Sequence, residues 1–316
     1  MRYFLTGATG FIGRRLARQL VADHHEVVAV ARDPAKASEL AAIGVEIRAG
    51  DVTDKASMRA PMAGADGVFH LAGWYRLDGK DRAAAQGINV DGTRNVLELM
   101  EELQIRKGVY TSTLAVFGDT HGQIPDESFR VGGPWITEYD RTKWMAHYEV
   151  AEPMIRRGLP LVIVQPGVVY GPRDHSDIAV LFRQYLRRRL RAIPRPSRYC
   201  WGHVDDIARA HVLAMERGRP GQSYIVCGEP HTLIEAFEIA ERITGITLPR
   251  FRPSGRFLRV MGTILRSERF RAAAATYLGN DAKARREIGL VHRPLEEGLR
   301  ETFHEEAKVM GMALPG

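Results

Sequence analysis

A turn carrying three glycines sits directly behind the first apolar run, and no other segment restricts the fold as much. Arg2-Tyr3-Phe4-Leu5 reads as a short buried strand, and Phe11-Ile12 with Leu16, Leu20 and Val21 as a helix with one apolar face. Between them runs Thr6-Gly7-Ala8-Thr9-Gly10-Phe11-Ile12-Gly13. Glycine at 7, 10 and 13 lets the backbone approach a pyrophosphate, which then rests on the positive end of the helix. Turns use glycine in any case, so the spacing alone is weak. A strand before it and a helix after it are the context a dinucleotide site requires. The segment is read as such a site, with Gly7, Thr9, Gly10, Phe11, Ile12 and Gly13 as its residues.

The rest of the first half repeats that strand–helix rhythm. Strands are expected at Tyr3–Leu5, Val27–Ala31, Val45–Ala49, Gly67–Leu71, Gly108–Thr111 and Leu161–Gln165, with helices near 11–22, 35–43, 55–63, 83–103 and 138–157. Alternation of this length implies an α/β fold, a doubly wound parallel sheet of the Rossmann type covered on both faces. After Pro166-Gly167 the rhythm breaks, and Pro172, Pro194 and Pro196 mark loops. His203-Val204-Asp205-Asp206 opens a further helix and Tyr224-Ile225-Val226 a further strand. Residues 1–166 and 203–227 are therefore assigned to a nucleotide-binding domain, and 167–202 with 228–316 to a smaller C-terminal substrate lobe.

Composition narrows the class. A chain of 316 residues, 45% hydrophobic and 26% charged, is an ordinary globular protein with a full core. No apolar stretch approaches the roughly 20 residues that cross a bilayer, and no basic-then-apolar leader precedes the first strand. Cys200 and Cys227 lack metal-ligand spacing, so no metal is expected; reduced thiols point to the cytoplasm. The net charge of +7 is unevenly spread. Arg187-Arg188-Arg189-Leu190-Arg191 with Arg195 and Arg198 form one basic cluster, and Arg256 to Arg271 another. Solvated helix faces are the plain reading, with an acidic substrate or a peripheral membrane patch as alternatives. The 256–271 stretch carries Phe257, Leu258, Met261, Ile264 and Leu265 and is expected to pack against the lobe. No nucleic-acid motif is present.

The second strand ends Ala29-Val30-Ala31-Arg32-Asp33-Pro34. A carboxylate at that place holds the ribose 2′-hydroxyl of NAD, whereas an arginine accommodates the 2′-phosphate of NADP. Arg32 follows Ala31, and Lys36 lies one turn on, so NADP(H) is favoured. NAD(H) stays possible because Asp33 can turn inward. Asp51-Val52, after the third strand, is placed beside the adenine.

Tyr139 and Lys143 are four residues apart in a stretch that reads as helix from a Thr137 N-cap, which puts them on one face. A tyrosine ionises near pH 10, and a neighbouring ammonium with an oxidised nicotinamide lowers that value toward use. The pair is common by chance. Its weight comes from Val109-Tyr110-Thr111-Ser112-Thr113, a strand ending in hydroxyls at the carboxyl edge of the sheet, where open parallel sheets bind ligands. Thr113 is placed to hydrogen-bond a substrate oxygen beside Tyr139, while Ser112 is expected only to cap the strand end.

Taken in order, the motifs TGATGFIG (6–13), GDVTD (50–54), HLAG (70–73), NVDGTRNVLE (89–98), STLAVFG (112–118), YDRTK (139–143), QPGVVYGPRD (165–174) and HVDDIARA (203–210) resemble an extended short-chain dehydrogenase/reductase over nearly the whole chain. The resemblance implies a catalytic set of Thr113, Tyr139 and Lys143. Asn89 matches a helix asparagine that positions a lysine-linked water, or equally one that stabilises a helix bend. By the same resemblance Leu71, Ala72, Gly73, Pro166 and Val168 line the cofactor with Tyr139 and Lys143. His70, Asp205 and Asp206 match family positions for which a structural role is expected, the two aspartates capping the 206–217 helix and tying the lobes together. Homodimers through the 83–103 and 138–157 helices are the family habit.

Two branches are in view. Dihydroflavonol-reductase-like members reduce carbonyls with NADPH; others interconvert nucleotide sugars on tightly held NAD. Arg32 points to the first, as does Arg173-Asp174-His175-Ser176-Asp177, which lacks an asparagine for a diphosphate. Trp74-Tyr75-Arg76-Leu77 is similar to a loop of hopanoid-associated sugar epimerases, and the Arg187–Arg198 cluster suits a diphosphate. A reductase of a small, partly apolar carbonyl substrate is favoured, with transfer of the pro-S hydride implied by the resemblance. A catalytically silent NADPH sensor is the third reading, which an intact Thr113, Tyr139 and Lys143 oppose. Trp74, Tyr75, Tyr170 and Tyr185, with Val168, Phe182 and Trp201, are candidates for the pocket wall.

Overall fold

The computed structural model describes residues 1–76 and 81–314, so Leu77 lies outside the described residues. Its strands in chain order are β1 (Arg2–Thr6), β2 (Glu26–Ala31), β3 (Glu46–Ala49), β4 (Gly67–His70), β5 (Gly108–Thr111), β6 (Leu161–Pro166), β7 (Val168–Tyr170), β8 (Arg198–His203), β9 (Ser223–Val226), β10 (Pro230–Thr232) and β11 (Thr276–Tyr277). Seven form one sheet in the order β3-β2-β1-β4-β5-β6-β9. All of its pairings are parallel. The winding reverses between β1 and β4, so the loops after these two strands splay apart and leave a crevice at their carboxyl ends.

Both faces of this sheet are buried along its inner strands, which therefore read as nearly continuous apolar runs, whereas the edge strand β3 is largely exposed. In β1 the side chains alternate. Tyr3 and Leu5 join a core with Leu16 and Leu20 of the helix Phe11–Ala22 and Ile207 and Leu213 of the helix Val204–Arg217. Phe4 joins the opposite core, with Met58, Val96, Leu97 and Val150. Ala284, Ile288 and Leu290 also pack into the first of these cores.

Four strands make a second, smaller sheet around β8, which pairs parallel with β7 and β11 and antiparallel with β10. Its core holds Phe182, Trp201, Phe237 and Phe303, carried in part by the helices Asp177–Leu186, Leu233–Thr244 and Leu295–Val309. Leu114, Phe117, Cys200, Ile225, Cys227 and Leu278 form a cluster of their own, in which both cysteines are free and buried.

Several elements depart from the sequence reading. The segment expected as a helix at 35–43 is a short 3₁₀ turn, Pro34–Ala37, followed by one helical turn, Ser38–Ala41. The two long helices run 82–102 and 138–156, and each contains a π-turn, Gln86–Asp91 and Ala146–Ala151. The helix after β8 is capped by His203, whose ring accepts from Asp205 N, rather than by Asp205 or Asp206. The two aspartates do join separate parts of the chain: Asp206 binds Arg293 at 2.9 Å, and Asp205 pairs with Arg15 at 3.3 Å. The helix Gly255–Ile264 buries only Leu258 and Gly262. Phe257, Ile264 and Leu265, expected against the lobe, are exposed.

Candidate active site

Sterics explain the glycines of the first turn. Gly7 has φ +75°, and a Cβ there would lie 2.6 Å from Ala72 N; one on Gly13 would lie 2.1 Å from Gly7 O. The first glycine thus allows the turn to pass beneath the loop after β4, and the third lets the helix seat on the turn. Gly10 caps the helix without a side chain, and no acidic residue occupies the first turn. The free N–H groups at Phe11 and Ile12 therefore suit an anion. Thr9 is held by its carbonyl, which accepts from Arg14 Nε at 3.0 Å.

Thr6 locks this turn to its neighbour. Its hydroxyl accepts from Ala72 N at 3.2 Å and lies 2.8 Å from His70 Nδ1, while His70 Nε2 lies 3.0 Å from Thr93 Oγ1. Thr93 in turn donates to Asn89 O, which leaves it to accept from a protonated Nε2. Burial holds His70 down to about 3, with Lys143 adding to the effect, so the ring is neutral and structural. Leu71 and Gly73 flank Ala72 at the same edge, and Leu71 N donates to Thr6 O.

At the end of β2, Asp33 is committed locally. It accepts from Ala35 N at 3.2 Å and pairs with Lys36 at 3.6 Å. Arg32 is exposed and meets no carboxylate among the described residues. Asp51 closes a turn by accepting from Thr53 N and Oγ1, both at 2.9 Å. Val52 is buried beside it, its carbonyl taken by Asn95.

Because β1, β4, β5 and β6 are parallel, their carboxyl ends share one edge, which gathers residues far apart in sequence. Thr113 follows β5 and caps the 3₁₀ turn Leu114–Phe117. Tyr139 and Lys143 lie on the helix Glu138–Met145, capped by Thr137, whose hydroxyl accepts from Asp140 N at 3.0 Å. Burial pushes the Tyr139 phenol up to about 12, against a smaller downward pull from the Thr113 hydroxyl. Lys143 is buried, and this alone brings its ammonium down to about 7. Its Nζ donates to Thr111 O at 2.7 Å and Tyr110 Oη at 3.1 Å, and sits 4.7 Å from the Tyr110 ring centre. Two of its three donors are used. One is left. Pro166 and Val168 bracket the crossing from β6 to β7 at this edge.

Asn89 fastens two walls together. Its Oδ1 accepts from Trp74 N at 2.7 Å, and its Nδ2 donates to Trp74 O at 3.1 Å and Thr142 Oγ1 at 2.9 Å. Both amide hydrogens are spent on protein, so the side chain has none for a water on Lys143. Ser112 does more than end a strand: its hydroxyl lies 2.7 Å from His147 Nδ1, and burial holds that imidazole down to about 3.

Trp74 is buried, and Tyr75 stands with its ring edge-on to Tyr139, centroids 5.0 Å apart. Four of the expected pocket residues are buried in the core of the smaller lobe. Tyr185 lies in the core of the smaller lobe with its hydroxyl on Ile246 O and Thr244 Oγ1, and Tyr170 packs there against Gly298. Phe182 and Trp201 belong to the same core. The reason is geometric: the helix Asp177–Leu186 turns Ala179, Phe182, Tyr185 and Leu186 to one buried face.

Sequence reading missed the support around Tyr139. Asp140, inside YDRTK, is almost fully buried and receives Thr137 Oγ1 at 2.7 Å and Tyr277 Oη at 3.1 Å. Glu268, also buried, accepts from Glu138 N at 3.2 Å. Tyr110 and His147 lie outside the quoted motifs, and their roles come from facing Lys143 and Ser112.

A glycine turn at the switch point of a doubly wound sheet, with Thr113, Tyr139 and Lys143 at the same edge, defines an extended short-chain dehydrogenase/reductase. The chain belongs to the NAD dependent epimerase/dehydratase family, whose model matches residues 3–227. It is 28% identical over 310 residues to sterol demethylase protein B of Methylococcus capsulatus, spanning 92% of this chain and 94% of that one. It is 29% identical over 313 residues to a 4-hydroxy-2-methyl-3-oxo-4-farnesyl-3,4-dihydroquinoline-1-oxide ketoreductase of Stigmatella aurantiaca, covering 93% and 92% of the two chains. In fold it matches a UDP-glucose 4-epimerase of Thermotoga maritima solved with UDP-glucose, with a TM-score of 0.83 at 22% identity over 98% of this chain and all of the other.

Proposed function

We propose that this enzyme is an NADP(H)-dependent reductase of a ketone or aldehyde on a small, partly apolar molecule. The observation that carries the reading is the Thr113–Tyr139–Lys143 set on the sheet edge that also holds the glycine turn. The turn fits a dinucleotide, because the close approaches at Gly7 and Gly13 leave no room for a Cβ and the helix start bears no competing carboxylate. In this reading 1–166 with 203–227 hold the dinucleotide and 167–202 with 228–316 receive the substrate.

NADP(H) is preferred over NAD(H) because Asp33 is spent on Ala35 N and Lys36, leaving Arg32 to meet a 2′-phosphate. Phe11, Ile12 and the first turn take the pyrophosphate, Asp51 and Val52 flank the adenine, and Leu71, Ala72, Gly73, Pro166 and Val168 wall the nicotinamide half. The bound nicotinamide supplies the hydride. Tyr139 does the proton chemistry. A phenol held near 12 is protonated at neutral pH, the form a reductase requires, and its proton goes to the substrate oxygen as the carbonyl carbon is reduced. Thr113 polarises the same oxygen. The remaining donor of Lys143 binds the nicotinamide ribose and tunes Tyr139. Asn89 acts by holding Trp74 against the helix of Tyr139, and Trp74 and Tyr75 offer an apolar wall.

The names of two relatives, a sterol demethylase component and a farnesyl quinoline ketoreductase, support an apolar substrate. A homodimer through helices 82–102 and 138–156 and a cytoplasmic location belong to the same proposal. The test is an NADPH-oxidation screen over apolar ketones and aldehydes with the wild type and Tyr139→Phe. Turnover should drop by about 10²–10⁴-fold with NADPH affinity unchanged. Epimerisation of a nucleotide sugar on retained NAD, with no carbonyl reduced, would contradict the reading.

A further inference from the structure

The helix Gly255–Ile264 is amphipathic in the wrong sense for a helix that only packs inward. Leu258 and Gly262 face the protein. On the outward side Phe257, Val260 and Ile264 follow one another at helical spacing, 44%, 50% and 67% exposed. Leu265 and Phe251 extend this apolar row at either end, and the Phe251 ring meets Phe257 at 6.1 Å.

Arginines surround the row. The 187–195 stretch runs directly alongside, with Ile193 N donating to Phe251 O and Arg195 N to Pro253 O, both at 3.1 Å. Arg252, Arg269 and Arg271 pair with Glu238, Asp177 and Glu268. The other arginines of 187–195 and 250–271 are exposed and meet no carboxylate among the described residues. Glu268 is the only acidic residue in the two stretches, and it is buried against Glu138 N.

We propose that this face docks on an anionic lipid bilayer, with Phe257, Val260 and Ile264 entering the acyl boundary and the unpaired arginines meeting lipid phosphates. Exposed apolar side chains on a helix flanked by unpaired cations are what an interfacial helix requires, and the sign of the charge selects an anionic leaflet. A nucleic acid would satisfy the arginines but would leave the apolar row in water. A second copy of this chain would bring unpaired arginines against unpaired arginines. The helix Glu268–Ala272 then leads from this face to Glu138, next to Tyr139. Docking therefore sets the site close to the lipid surface, whatever reaction the site performs.

The experiment is co-sedimentation of the full chain with vesicles of phosphatidylcholine alone and with vesicles of phosphatidylcholine and phosphatidylglycerol in equal parts. The wild type should pellet only with the anionic vesicles, and added salt should release part of it. Phe257→Ser with Ile264→Ser, and separately Arg256→Gln with Arg259→Gln, should each weaken binding by about tenfold or more while the melting temperature stays unchanged, since all four side chains are exposed. Three results would overturn the proposal. The wild type could stay in the supernatant with both vesicles, or both double variants could bind as the wild type does. Sedimentation velocity without lipid could instead show a dimer that Phe257→Ser with Ile264→Ser dissociates, making the face a contact between copies.

Discussion

Asp140 and Lys143 lie three residues apart on one helix and carry ionisable groups that burial displaces in opposite directions. Burial lifts the Asp140 carboxyl to about 7 from 3.8, although Thr137 and Tyr277 pull the other way. A folded value above the unfolded one means that its contribution to stability is complete below about pH 4 and is lost as pH rises through 7. Lys143 has the reverse sign. With a folded value of about 7 against 10.5, its contribution is present above pH 10.5 and lost as pH falls through 7. These two residues therefore push the stability of the apoprotein toward a minimum near neutrality. Asp140→Asn should flatten the fall in melting temperature between pH 4 and 7, a change of up to a few kcal/mol. Lys143→Met should flatten the rise above pH 7. Thermal unfolding across pH checks both, and variants with the wild-type slope would show that other groups set the profile. The shared helix of Tyr139 and Lys143 and the place of Thr113 after a strand were legible because i,i+4 spacing and a strand end place side chains by simple geometry. Asp140 was not, since its partner Tyr277 is 137 residues away and no local pattern points to it.

Helices and turns were legible where a local rule decides them. The glycine turn is one case. Gly13→Ala would set a methyl 2.1 Å from Gly7 O, so the helix must lift off the turn. A loss of about 1–3 kcal/mol in denaturant unfolding is expected, together with weaker dinucleotide binding in a fluorescence titration; unchanged binding would mean that the turn does not hold the ligand. Thr232 and Glu235 form a reciprocal capping box at the start of the helix Leu233–Thr244. Thr232→Ala should therefore cost about 1 kcal/mol in the same unfolding assay. The π-turns were invisible. In 82–102 the extra residue falls where Asn89 bonds Trp74 and Thr142, and an apolar period does not register one inserted residue. In 138–156 it falls just before Pro153, which lacks an N–H for the helix ladder. Aromatic residues of the smaller lobe were misplaced for a related reason. Helical spacing shows that Phe182 and Tyr185 share a face but not which neighbour that face meets.

Across the whole molecule, ionic ties join the first helix, the helix after β8 and the C-terminal segment. Arg293 binds Asp206 at 2.9 Å and Glu301 at 2.8 Å, and all three side chains are at least half buried. Arg293→Ala leaves two carboxylates without their partner, and a loss on the order of 2 kcal/mol in calorimetric stability is expected. A neutral result would mean that apolar packing alone joins these parts. The parallel sense of the large sheet followed from strand–helix alternation, whereas its strand order and the outward face of Gly255–Ile264 appeared only when the neighbours were placed. In the proposed reading Arg32 rather than Asp33 meets the ribose, which separates an exchanging NADP(H) reductase from an enzyme that retains NAD. Titration of the purified protein with NADPH and NADH, with extraction of any retained nucleotide, tests it directly. Freely exchanging NADPH bound in the micromolar range, NADH bound far more weakly, and loss of that preference in Arg32→Ala are the predicted results. NAD that copurifies and does not exchange would contradict an arginine-read 2′-phosphate.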